Sequence, residues 1–435
     1  MSLPRLFLIA CLALASASSA LAQGLPRGRA DQRGFSAERL ARIDSVMQQY
    51  VDSGRVAGVV TFITRHGRVA HVGAYGWADR EAGRRMGGDV IFRIASQSKA
   101  VTSVAVMALV EEGRLRLADP VSRWLPSFAT ATVADSGRRV PVRRAVTIRD
   151  LLTHTAGISY GTDSVVQDLY RVAGLGPAAG YGWYFADKSE PICTSMDRLG
   201  ALPFVAQPGA RFVYGYNTDI LGCVVERASG QSLDAFLQAR IFRPLRMTDT
   251  RFFLAPDQRD RLAVVYAAND RGGYVRADDG PRGQGAYVDG PRASFSGGAG
   301  LLSTAGDYAR FLQMLLNGGT LDGVRILAPA TVALMTENHV GTLYNSTRAT
   351  GFGLGFEVLL DPGRAAQYGS RGRFGWGGAY ATNYWVDPGE DLVAVFMVQL
   401  LPSGGFDLAD KFRTLVYQAI LEPGVAPPRL ERQRP

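Results

Sequence analysis

Phe92-Arg93-Ile94-Ala95-Ser96-Gln97-Ser98-Lys99-Ala100-Val101-Thr102-Ser103-Val104-Ala105-Val106-Met107-Ala108-Leu109-Val110-Glu111-Glu112-Gly113 is the stretch on which the reading of this 435-residue chain turns. Val101, Val104, Met107/Ala108 and Val110 recur at helical spacing and Gly113 stops the run, so the pattern predicts a turn leading into a buried helix. Ser96 falls on its first turn. Lys99 follows three residues later on the same face, which puts an amine within reach of the hydroxyl, and the N–H groups of the helix start are open to an anion. A serine hydroxyl is a poor nucleophile until a base takes its proton, and a lysine is that base only when burial lowers its pKa. Arginine cannot substitute, because it stays protonated. Of the 48 basic residues only Lys99, Lys188 and Lys411 are lysines, so a lysine inside an apolar helix is not one positive charge among many. The plainer account makes Ser96 a helix cap and lets Lys99 reach solvent, and Ser-x-x-Lys alone does not choose between the two.

Residues 1–22 read as a secretory signal peptide: Arg5, then apolar Leu6 to Leu14, then small residues ending in Ala20-Leu21-Ala22 before Gln23. Leu8-Ile9-Ala10-Cys11 matches a lipoprotein box only loosely, since more apolar sequence follows it. No other stretch has the length of a membrane span, so a mature chain without a transmembrane segment is expected in an exported compartment, periplasmic or secreted. Losing Arg5 brings the net charge from +9 to +8. The excess is dispersed rather than clustered, which argues against nucleic-acid binding. Cys193 and Cys223 remain, able to pair in an oxidising compartment or to stay as buried thiols. No Cys/His cluster has metal-ligand spacing, and no cofactor is expected.

The organisation expected is a short extension over 23–34, one domain over 35–422 and a tail over 423–435. A first helix runs from about Ser36 to Val51, with Leu40, Ile43, Met47 and Tyr50 on one stripe. Val59 to Thr64 and Val69 to Val72 flank His66-Gly67 as a tight hairpin. The far end mirrors this: Ala381 to Val386 and Leu392 to Val398 flank Asp387-Pro388-Gly389, and a helix follows from about Asp407 to Leu421. One sheet built from both ends, with a helical region inserted between its strands, accounts for the pattern. The long Gly-, Asp- and Tyr-rich loops over Gly157 to Pro191 and Asn269 to Gly298 are candidate walls of a substrate cleft.

Further segments carry a resemblance: Leu151-Leu152-Thr153-His154-Thr155-Ala156-Gly157, Pro208-Gly209-Ala210-Arg211-Phe212-Val213-Tyr214, Ser296-Gly297-Gly298-Ala299-Gly300-Leu301 and Gly375-Trp376-Gly377-Gly378-Ala379. With Phe92 to Lys99 they stand in the order found in the serine β-lactamase and penicillin-binding-protein superfamily, and from about Phe35 to Glu422 the chain resembles its β-lactamase-related branch, which includes family VIII carboxylesterases. The resemblance implies an α/β fold of the α+β type: an antiparallel sheet from both chain ends flanked by helices, with an inserted mainly helical region. It implies an exported serine hydrolase that cleaves carboxylic esters of small molecules through an acyl-enzyme on Ser96.

Tyr214-Gly215-Tyr216 falls on the family's Tyr-x-Asn motif, with Tyr216 in place of Asn and Asn217 one step late. The segment also resembles the esterase version, in which the Tyr is followed five residues on by an Asp. Tyr214 is therefore the expected phenol that shares the Ser96 proton with Lys99, and a nearby ammonium would lower its pKa. Where β-lactamases carry Lys-Thr-Gly, this chain has Trp376-Gly377-Gly378, so an apolar wall replaces the cation that holds a substrate carboxylate. Arg373 is the nearest residue to replace that charge in part. By resemblance the N–H groups of Ser96 and Ala379 form the oxyanion hole, and Tyr216, Trp376, Gly377 and Gly378 line the substrate site.

Gly157-Ile158-Ser159-Tyr160-Gly161 matches Gly-x-Ser-x-Gly, but no buried strand precedes it and no helix follows, as a nucleophile elbow requires. Of the four histidines, only His339 lies late enough to serve such a triad, and His154 reads as a structural residue holding its turn. Alternatives on the same fold are a β-lactamase or D-amino-acid peptidase using the same residues, and a catalytically idle binding module.

Overall fold

The structure, a computed structural model, describes residues 24–176, 184–270, 273–280, 283–402, 407–422 and 424. The expected signal peptide and most of the expected tail lie outside the described residues.

Helix α1 (Ala37–Asp52) begins where Ser36 accepts a hydrogen bond from the Arg39 amide at 3.2 Å, and it buries Leu40, Ile43, Met47 and Tyr50. Strands β1 (Gly58–Arg65) and β2 (Arg68–Asp79) follow, joined through His66 and Gly67, whose φ values of 53° and 67° give the turn a twist that matches the strands. The sheet is completed by β3 (Arg84–Arg85) and by five strands far along the chain: β4 (Thr350–Phe352), β5 (Glu357–Leu359), β6 (Phe374–Gly377), β7 (Asn383–Asp387) and β8 (Leu392–Met397). The spatial order is β4-β5-β6-β7-β8-β1-β2-β3, antiparallel throughout. The two chain ends meet at its centre, where β1 and β8 pair from Val60↔Met397 to Arg65↔Leu392.

Both faces of this sheet are covered. Val393, Val395 and Met397 enter one core, and Leu392, Ala394 and Phe396 enter the other, so β8 is buried at every position and reads as an unbroken apolar run rather than an alternation. Helix α1 and the C-terminal helix cover the second face.

The inserted region packs on the first face. Helix α2 (Ser98–Glu111), buried from Ser98 to Leu109, runs through this region and packs on the helix that begins at Asn217. A helix apolar on all sides belongs in a core. Around it lie α3 (Ile192–Gly200), α4 (Asn217–Ser229) and α5 (Ala305–Leu316), and the chain closes with α6 (Leu408–Gln418) back against α1. Cys193 and Cys223 form a disulfide that ties α3 to α4, which decides between pairing and free thiols.

Candidate active site

Ser96 lies one turn earlier than the α-helix proper, in a 3₁₀ turn over Ala95–Gln97 that runs into α2. Ala95 is held at φ 43°, a left-handed conformation that costs an alanine about 1–3 kcal/mol. The surroundings impose it: Ile94 donates its amide to the Leu301 carbonyl at 3.1 Å, Phe92 and Arg93 pair with Ser303 and Leu302, and the Leu301 amide donates to Ser98 Oγ at 3.0 Å. Ser96 is thereby presented to a cavity of about 520 Å³ that Tyr160, Tyr214, Trp376, Gly378 and Ala379 also line.

Lys99, nearly fully buried, donates to three acceptors: Ser96 Oγ at 3.2 Å, the Tyr160 hydroxyl at 2.9 Å and the Gly298 carbonyl at 2.7 Å. Those are as many acceptors as an ammonium has protons, and a neutral amine in the same place has a lone pair for the Ser96 proton. The Gly298 carbonyl is held from behind. Asp219, wholly buried on α4, accepts the Ser296 hydroxyl at 2.5 Å and the Gly298 amide at 3.1 Å. Burial pushes the Asp219 carboxyl up, against the pull of Lys99.

Tyr214 meets Lys99 differently from expectation. Its ring lies over the amine, Nζ to centroid 4.7 Å, and its hydroxyl accepts a hydrogen bond from Trp376 Nε1 at 3.1 Å. The phenol whose oxygen meets the amine is Tyr160, which the sequence reading passed over as the neighbour of a decoy serine. Burial raises its pKa well above the ordinary phenol value, and so do the charges that Tyr214 and Asp219 would carry, so Tyr160 stays protonated. The signal that could have found it is its place six residues past His154 in a Gly-rich loop.

Gly215 lets the two tyrosine segments touch, because a Cβ there would lie 2.3 Å from the Ile158 carbonyl oxygen. Gly378 does the same for β6 and the nucleophile, since its Cβ would come within 2.6 Å of the Ile94 oxygen.

The other expected residues divide. Trp376, Gly377, Gly378 and Ala379 line the cavity with Ser96. Tyr216 does not: it is fully buried at the N-terminal end of α4, its ring 4.9 Å from that of Tyr160, and its hydroxyl accepts the Gly176 amide at 2.9 Å. It braces Tyr160 rather than facing substrate. Asn217 is likewise internal, its amide on His154 Nδ1 at 2.9 Å.

His154 packs its ring 4.7 Å from that of Tyr214, and burial, then the Lys99 charge, hold its pKa well below the ordinary value, so it stays neutral. Ser159 is buried and accepts the Gly161 amide at 3.1 Å, while His339 contacts the Leu334 carbonyl at 2.8 Å. Neither histidine is brought to Ser159, and the antiparallel sheet is not that of an α/β-hydrolase.

Residues 43–419 match the Beta-lactamase family. The chain belongs to that family. Among its family relatives, esterase EstB of Burkholderia gladioli is 35% identical over 375 residues, covering 82% of this chain and 90% of that protein. The lovastatin esterase of Penicillium rubens is 29% identical over 416 residues, covering 86% and 98%. Among solved structures, EstCE1, described as a hydrolase with promiscuous acyltransferase activity, superposes with a TM-score of 0.77 at 32% identity, covering 87% of this chain and 99% of that one. These Beta-lactamase family relatives bear out the expected fold and the expected class, an esterase-like serine hydrolase of the β-lactamase and penicillin-binding-protein superfamily.

Proposed function

We propose that this protein hydrolyses carboxylic esters of small molecules through an acyl-enzyme on Ser96. The observation that carries it is the contact of Lys99 Nζ with Ser96 Oγ at 3.2 Å and with the Tyr160 hydroxyl at 2.9 Å, in a cavity walled by Trp376. Ser96 Oγ attacks the ester carbonyl carbon while its proton passes to a neutral Lys99 amine. The charge that develops on the carbonyl oxygen is taken by the N–H groups of Ser96 and Ala379. Collapse breaks the bond to the leaving oxygen, which takes a proton from Lys99, with the Tyr214 and Tyr160 phenols completing the donor network. Water then repeats the attack on the acyl-enzyme, gives its proton to the amine and releases the acid and Ser96.

Trp376 favours an ester over a β-lactam or a D-alanyl peptide. It gives an apolar face where those anionic amides need a cation, and an alkoxide leaves with less help from a proton donor than an amine needs. Export rests on residues 1–22, removed near Ala22, and the Cys193–Cys223 disulfide accords with an oxidising compartment. The domain over 35–422 carries every residue of this mechanism. A side-by-side assay on a 4-nitrophenyl butyrate and a chromogenic cephalosporin tests the assignment: preferential ester turnover supports it, and equal or better opening of the cephalosporin overturns it in favour of the β-lactamase alternative.

A further inference from the structure

The catalytic cavity does not end at Trp376. Side chains alternate along β6, so Trp376 projects to one face of the sheet and Gly375 and Gly377 leave the other face bare. Opposite them on β7 stand Trp385 and Asn383, paired with Gly375 and Gly377 respectively. The cavity that starts at Ser96 therefore runs on past these glycines to Arg373, ahead of β6, and Arg413, on α6.

This far end has a surplus of hydrogen-bond donors. Trp385 Nε1, on a side chain only 2% exposed, and Arg413 Nε are both buried with no acceptor among the described residues. The Arg413 guanidinium lies 5.4 Å from the centre of the Trp385 ring, and its one ion pair among the described residues is with the surface carboxylate of Asp410, at 3.0 Å. Arg373 spends two donors on the Tyr368 carbonyl and Gln367 Oε1, at 2.8 and 2.7 Å, and forms no ion pair among the described residues. Burial, and then the charge of Arg373, hold Arg413 below the usual guanidinium range. Glu357, the one acidic side chain that lines the cavity among the described residues, already accepts the Tyr344 hydroxyl. The guanidinium groups of Arg373 and Arg413, on side chains that line a space opening to the nucleophile, match the planar fork of a carboxylate.

We infer that this end of the cavity is an anion subsite that accepts a carboxylate at the far end of the acyl chain, so that the preferred substrates are esters of long dicarboxylic acids. The inference rests on the ester-hydrolase reading of Ser96 and names its substrate class. At about 3.4 Å per residue, Gly375 to Ala379 spans on the order of 14 Å. An extended dodecanedioic acid chain is of the required length.

The test compares the 4-nitrophenyl monoester of dodecanedioic acid with the same chain ending in a primary amide, each read as nitrophenolate release. In the wild-type protein kcat/KM for the carboxylate-ended ester exceeds that for the amide-ended one by about tenfold, the size of a partly solvated charge-assisted pair. Arg413→Gln brings this ratio near unity and Arg413→Lys keeps part of it; taking the ratio within each variant cancels any loss of folded enzyme. A wild-type ratio near unity, or a full ratio in Arg413→Gln, overturns the subsite. Calorimetric titration of dodecanedioate into the Ser96→Ala protein reads the anion site without turnover. Binding there by a protein that cleaves no ester would sink the hydrolase reading alone, whereas butyrate ester turnover with no dodecanedioate binding would sink the subsite alone.

Discussion

Lys99 Nζ and the Tyr160 hydroxyl stand 2.9 Å apart, closer than the amine stands to the serine it is expected to activate. Two phenols thus surround one amine, one through its oxygen and one through its ring face. Because burial keeps Tyr160 protonated, its part is to donate or to position rather than to accept the first proton. Tyr160→Phe should lower kcat for a nitrophenyl ester by about 10²-fold, within the range for losing a group in an acid–base network, and Tyr214→Phe should do at least as much. Near-normal turnover in Tyr160→Phe would reduce that phenol to packing.

Ser96→Ala should abolish turnover and leave the thermal transition in place, since it removes one oxygen at a cavity wall. Ser159→Ala should cost about 1 kcal/mol through the lost bond to the Gly161 amide and spare the chemistry. A covalent serine probe mapped by mass spectrometry decides between the two positions independently of kinetics.

Lys99→Arg should be as damaging as Lys99→Ala, with losses of about 10²–10⁴-fold, because the cycle needs a neutral amine that a guanidinium cannot supply. Retained activity in Lys99→Arg, measured on the butyrate ester, would assign the residue a purely electrostatic role.

Trp376→Lys should narrow the preference for a butyrate ester over a cephalosporin, which is expected to be at least ~10²-fold in kcat/KM for the wild type. The substitution gives the wall a cation and also frees the Tyr214 hydroxyl from the indole. Trp376→Phe separates the two effects, because it loses the hydrogen bond without gaining charge.

Asp307, on the first turn of α5, accepts the Asp249 amide at 2.7 Å and the Thr250 hydroxyl at 3.0 Å, yet burial raises its pKa to about 6. Between the ordinary carboxyl value and that one, the folded protein holds a proton the unfolded chain has released, so stability falls as pH rises through this window, by up to about 3 kcal/mol. Asp307→Asn should flatten that slope in urea titrations taken from about pH 4 to pH 6.5. An unchanged slope would locate the pH dependence elsewhere.

Much of the fold was legible because its signals are local. The stripe of α1, the His66-Gly67 turn and the apolar run of β8 each depend on neighbours a few residues away, and Ser96 with Lys99 is itself an i, i+3 pair. What stayed hidden depends on approach in space. Tyr160 reaches Lys99 only because Gly215 lets one loop lie against another, and Tyr216 looked like a substrate contact until its ring was seen packed against Tyr160. Arg373 was visible as a charge near Trp376, but Arg413 lies on a helix at the far end of the sequence and joins it only through the empty side of two glycines.

The pairing of β1 with β8 also bears on how the protein is made. Val60 and Met397 are neighbours in the finished sheet although more than three hundred residues separate them in the chain. Closing a loop of that length precedes any gain from the central ladder, which is the topology of a slow folder. During synthesis the N-terminal hairpin emerges with one edge open, and it waits for nearly the whole polypeptide before that edge is covered. An unpaired edge of this kind invites association with other chains, so the protein should depend on holding factors, or on passage in an unfolded state, until its last strand arrives.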